Sequence, residues 1–168
     1  MSEPKNIFDE LLVTSCQGLF EVYGVELQEM SAANVETPHS IELAGIIGLT
    51  AESLRGTLVL GTTESILKET DDRADGRDWI GELANQLLGR LKNRLFAYGV
   101  EIAMSTPVSL RGHNLALTSS SEDTWFYAFQ SSAGLVCVWF DLELEPGYTM
   151  FKAEEAEESA VEGELMFF

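Results

Sequence analysis

A five-residue echo constrains this chain more than any other feature. Tyr23-Gly24-Val25-Glu26-Leu27 recurs as Tyr98-Gly99-Val100-Glu101-Ile102, a shift of 75 positions (98 − 23). Each copy follows an amphipathic run. In the first run, Ile7, Phe8, Leu11, Leu12, Cys16, Leu19 and Phe20 supply the apolar side. In the second, Ile80, Leu83, Ala84, Leu87, Leu88, Leu91 and Leu95 fall at helical three- and four-residue steps. Glycine just past the last apolar position is a common helix stop. A period of 75 is too long for a solenoid, so the echo describes two copies of a helix-plus-strands unit. It predicts two long helices, over 6–22 and from 78 to the turn at Gly99. Both would pack on one face of a mainly antiparallel sheet, an α+β two-layer domain.

Strand signals fill the space between and after the helices. Residues 25–30 alternate; 40–50 and 54–61 read as a pair around a turn at 51–53. Gly56 within the second predicts a bulge or a close backbone approach. Thr62 or Thr63 is positioned to cap a short helix over 64–69. A strand is expected to run from Gly99 into Pro107, and three more over 114–119, 124–130 and 135–144. The run 135–140 is continuously apolar and predicts a central strand.

The totals exclude whole classes of function. At 168 residues and 45% hydrophobic content, residues 1–150 suffice for one self-supporting domain. Residues 151–168 read as an acidic tail carrying Glu154, Glu155, Glu157, Glu158, Glu162 and Glu164 and ending in Leu165-Met166-Phe167-Phe168. The net charge of −18 argues against nucleic acid and anionic membrane surfaces as partners. No secretion signal is expected, and no apolar stretch approaches the roughly 18 residues of a membrane span. Cys16 and Cys137 lie far apart in apolar contexts, so they read as reduced core thiols of a cytoplasmic protein. His39 and His113 are isolated, no carboxylate cluster has site spacing, and no metal site of the chain's own is expected. Ser15 and Ser53 have no His or Asp partner in a recognisable motif, which leaves acyl transfer without support. The aromatic residues at 125–127, 129 and 139–140 read as sheet core.

The second helix carries one unusual surface. Asp78, Glu82, Asn85, Gly89 and Asn93 cluster opposite its apolar side. A solvated helix face accounts for acids and carboxamides, but not for the glycine. A mid-helix Gly costs about 1 kcal/mol relative to Ala, whereas a face that another protein approaches closely has a use for it. The other copy serves as a control. Under the 75-residue shift Glu82 and Asn85 fall on Ile7 and Glu10, so the acid–carboxamide pair belongs to one copy only.

The pattern Glu82-x-x-Asn85-x-x-x-Gly89, with Asp78 four residues upstream, Pro107 downstream and Gly112 after it, resembles the CheC/CheX family of chemotaxis phosphatases. The approach through residues 54–60 is similar to the family's strand before its active helix. One site in place of two makes the chain look more like CheX than CheC. The resemblance implies hydrolysis of the aspartyl-phosphate on a CheY-like response-regulator receiver. It implies that Asn85 orients the attacking water and that Glu82 pairs with the receiver's phosphate-binding Lys, with Asp78, Gly89 and Asn93 on the partner-binding face. It further implies that the receiver carries its own Mg²⁺ and that the chain forms a homodimer through sheet edges, for which the β-forming run 124–142 is a candidate. A non-catalytic module of the same fold, binding a receiver or a switch-complex partner, is the alternative, and a purely structural dimer a weaker one.

Overall fold

The structure is a computed structural model that describes residues 4–31, 41–116 and 124–152. The expected tail beyond residue 152, with its terminal apolar residues, lies outside the described residues, as does His39. The first helix, α1, spans Pro4–Val22. Strands β1 (Gln28–Glu29), β2 (Leu43–Thr50) and β3 (Leu54–Thr62) follow, then the short helix α2 (Glu64–Thr70) and the long helix α3 (Gly76–Leu95). After a 3-10 turn at Phe96–Tyr98 come β4 (Ala103–Met104), β5 (Val108–Arg111), β6 (Thr124–Ser131) and β7 (Gly134–Leu144). The strands form one sheet in the order β1-β6-β7-β3-β2-β4, with β5 also paired to β2. Every pairing is antiparallel. The α+β two-layer expectation therefore holds, with β7 in the interior of the sheet as its apolar run predicts.

The strand order is the same read from either end under the exchange of β1 with β4, β6 with β2 and β7 with β3. The duplication is thus a pseudo-twofold about the β7–β3 pair, and each copy lends its first strand to the other copy's half of the sheet. The two turns match bond for bond. Gly24 and Gly99 adopt left-handed φ values of 77° and 70°, which glycine reaches without steric cost. Their amides donate to Glu21 and Phe96, both at 2.9 Å, and Val25 and Val100 donate to Phe20 and Leu95.

Both long helices cover the same sheet face. Phe8 of α1 packs 5.7 Å from the ring of Phe140 on β7. On α3, Ile80, Leu83, Leu87, Leu88, Leu91 and Leu95 are fully buried, each worth roughly 1.5–3 kcal/mol relative to exposure. Gly45 on β2 lets α3 sit unusually low. A Cβ there would lie 2.6 Å from the Ile80 carbonyl oxygen and 2.9 Å from the Ala84 Cβ.

Several boundaries differ from expectation. The strand expected over 25–30 pairs only at Gln28 and Glu29, because it lies at the sheet edge. No strand forms over the described part of 114–119; the ladder is made instead by Val108–Arg111, immediately after Pro107. Gly56 makes no bulge, since β3 pairs in unbroken register with both neighbours. It marks a close approach, as a Cβ would fall 2.2 Å from the Asp141 carbonyl oxygen. Helix α2 is capped by Thr63, whose side chain accepts from the Ile66 amide. Within the run 124–142, β7 is interior, while β6 is second from the edge, paired by β1 at Gln130 and Phe129, with the Met30 amide donating to the Ala128 carbonyl at 2.8 Å.

Candidate functional site

Helix α3 begins two residues earlier than its apolar period suggests. Asp75 is the cap, its Oδ1 accepting from the Arg77 amide at 2.9 Å. That backbone bond, with the Arg77 charge beside it, holds the Asp75 carboxyl below the usual carboxylate range. Asp78 sits exposed in the first turn, where an acid also complements the helix dipole. Its place in the stripe therefore has a structural reason as well as a functional one.

One turn on, Glu82 is exposed and Asn85 is half-buried. At 100° per residue they lie about 60° apart around the helix, on the side away from the sheet. The Asn85 side chain makes no hydrogen bond among the described residues, so both ends of its amide are available. Glu82 is different: its Oε1 accepts from Nε2 of Gln86 at 3.0 Å. Gly89 completes the stripe. A Cβ at that position would meet nothing within 4 Å, so no packing among the described residues requires this glycine. Asn93 is exposed about 12 Å along the axis from Asn85. It lies beside Lys92, Phe96 and Glu101 in a shallow hollow at the helix end, too far to act on the same atom as Asn85.

The flank of the site is built by residues that the stripe pattern does not reveal. Gly81, one turn before Asn85, is buried against β5, where a Cβ would lie 2.7 Å from the Ser109 Oγ and 3.8 Å from the Pro107 ring. Pro107 thus borders the Asn85 side of the helix. On the other side, the Tyr23 hydroxyl donates to Oε1 of Gln86 at 2.8 Å. Gln86 had a readable signal, four residues after Glu82; Tyr23 stood out only as part of the echo.

The hollow at Asn93 does not extend to Glu82, Asn85 or Gly89. A hollow of about 570 Å³, lined by Gly48, Arg55, Thr57, Ser105 and Asp141, belongs to the opposite side of the sheet. No cluster of three His, Cys, Asp or Glu suited to a metal exists among the described residues, and His113 is exposed after β5. No described helix is long and apolar enough to cross a membrane. Cys16 and Cys137 are free and buried; burial pushes the Cys137 thiol up to about 12 and Cys16 further.

Comparison with known proteins agrees with this fold. A CheX from Vibrio vulnificus superposes with a TM-score of 0.70 at 21% identity, covering 81% of this chain and 96% of that one. A CheC-like superfamily protein from Shewanella sp. PV-4 gives 0.71 at 21% identity, covering 81% and 97%. A chain of the CheX–CheY–BeF3–Mg²⁺ complex from Borrelia burgdorferi gives 0.63 at 13% identity, covering 81% and 97%. These likenesses establish the fold. No curated protein matches the chain. The family profile described as Chemotaxis phosphatase CheX matches residues 43–130, which is 88 of the 168 residues and includes all of α3 and Pro107. The chain belongs to the CheX family of chemotaxis phosphatases.

Proposed function

We propose that this protein accelerates loss of phosphate from the aspartyl-phosphate of a CheY-like receiver, with Asn85 and Glu82 at the point of contact. The observation that carries the reading is their placement. Glu82 is exposed and Asn85 half-buried, one turn apart on an open helix face, and the face stays open over Gly89. The same fold occurs in a protein held with CheY, BeF3 and Mg²⁺.

The chemistry asks little of the helix beyond position. Water attacks phosphorus in line, the bond from phosphorus to the aspartyl oxygen breaks, and the water's proton leaves on inorganic phosphate. In a loose transition state the gain comes from orienting the water and balancing charge. The Asn85 carbonyl accepts a hydrogen bond from the water while its amino group donates to a phosphoryl oxygen. Glu82 pairs with a lysine of the receiver and sets the register of docking. The receiver brings the Mg²⁺ that its own phosphate requires. A homodimer in the cytoplasm is part of the proposal; Val108 and Leu110, 58% and 43% exposed on β5, offer apolar surface near the sheet edge. Sedimentation that shows only monomer at micromolar concentration would remove the dimer.

The decisive experiment measures phosphate release from phosphorylated receivers of the same organism. Wild-type chain should accelerate it on at least one receiver. Asn85→Ala should abolish the acceleration while leaving receiver binding largely intact. Binding without acceleration by the wild-type chain would leave a receiver-binding module instead of an enzyme.

A further inference from the structure

The two copies of the unit meet beside the stripe. Tyr23, from the first copy, donates to the Gln86 carbonyl oxygen at 2.8 Å, and the Gln86 amino group donates to Glu82 at 3.0 Å. The Tyr23 ring stands edge-on to Trp79, with centroids 5.5 Å apart and planes at 88°. Trp79 is in turn tied through its indole N–H to the Thr70 hydroxyl at 2.7 Å. Contacts therefore run from α2 through Trp79 and Tyr23 to Gln86, and end on one carboxylate oxygen of Glu82.

We propose that Tyr23 and Gln86 are positioning residues for Glu82. The inference rests on the reading of Glu82 as the group that docks on the receiver. An exposed glutamate loses rotamer freedom when it binds a partner. Here one oxygen already engages Gln86, so the carboxylate is ordered before docking and its second oxygen faces a cation on the partner.

The repeat argues that this is more than helix packing. Shifted by 75 positions, Tyr23 corresponds to Tyr98, so the tyrosine is present in both copies. Gln86 corresponds to Leu11 and Glu82 to Ile7. The carboxamide relay is thus present only where the acid is, and the copy without a site supplies the hydroxyl that holds the site of the other.

The test is a double-mutant cycle on the full chain, read as KM and kcat for a phosphorylated receiver. Affinity for the same receiver loaded with beryllium fluoride and Mg²⁺ is measured alongside. Tyr23→Phe keeps the ring and its contact with Trp79; Gln86→Leu installs the residue of the other copy. Each should raise KM and weaken the beryllofluoride complex about two- to tenfold, the span of one hydrogen bond, with kcat little changed. In a Glu82→Ala background neither should have a further effect. Unchanged affinity in the wild-type background, or an equal loss in both backgrounds, overturns the positioning role. If Glu82→Ala alone leaves affinity unchanged, the docking role of Glu82 falls first and the inference with it.

Discussion

Replacing Gly89 separates what the helix wants from what a partner wants. Gly89 lies in the interior of α3, at position 14 of its 20 residues (89 − 76 + 1). Glycine there is worse than alanine by about 0.8–1.0 kcal/mol, because it loses more backbone freedom on folding. No compensating contact exists among the described residues, since a Cβ would meet nothing within 4 Å. Gly89→Ala should therefore stabilise the fold by about 0.5–1 kcal/mol, allowing for the effect of alanine on the unfolded chain. For a domain of this size that raises Tm by about 1–4 °C. The same methyl group should weaken receiver-dependent phosphate release, and the larger Gly89→Leu should weaken it further while the fold stays intact. Thermal unfolding followed by circular dichroism measures the first effect and release of inorganic phosphate the second. A Gly89→Leu protein that is folded and dephosphorylates its receiver at the wild-type rate would refute the close-approach argument. Failure of Gly89→Ala to stabilise would refute the claim that nothing among the described residues needs the glycine.

Two further outcomes test the packing under the site. Gly45→Ala should destabilise the fold by about 1–3 kcal/mol in urea unfolding, as overpacked cores do, because the new Cβ meets the Ile80 carbonyl oxygen at 2.6 Å. Neither thiol should react with a disulfide reagent at pH 8 in the native state, since both are buried and their pKa values are raised by burial, that of Cys137 to about 12. Labelling of either at a rate close to that of the unfolded chain would contradict the buried core.

The site was legible where periodicity carries the information. Helical spacing alone puts Glu82, Asn85 and Gly89 on one side, and the buried positions of α3 are those of its apolar stripe together with Gly81. Spacing says nothing of contacts between distant segments. Tyr23 reaches Gln86 across the two copies, and Gly81 and Gly45 matter only because two backbones approach there. The edges of the sheet differ from expectation for a related reason. β1 and β4 pair at two residues each, and local alternation does not count partners. β5 was hidden by its own polarity: Val108 and Leu110 point away from the helices while Ser109 faces Gly81. An inward serine between outward apolar residues on a four-residue strand resembles a loop more than a strand. The start of α3 was placed late because Asp75-Gly76 carries turn residues, although Asp75 there is a cap.

If two copies share one fold, the copy without a site explains what a site needs beyond its two named residues. Ile7→Glu with Glu10→Asn would write the acid–carboxamide pair onto α1 at the positions equivalent to 82 and 85. In an Asn85→Ala background this graft should show no phosphate release beyond its parent. Leu11 stands where the relay would need Gln86, and Thr14 stands where the partner would need Gly89. Thr14 is also committed to packing, its hydroxyl donating to the Glu10 carbonyl at 2.7 Å and accepting from Arg94 of α3. Ile7 is half-buried against the core, so circular dichroism must first show that the graft is folded. A folded graft that releases phosphate would mean that any exposed Glu-x-x-Asn on this scaffold suffices, and the arguments from Gly89 and Gln86 would both fail. The expected silence instead assigns the activity to the positions at which the copies have diverged, with the shared turns and core acting only as their frame.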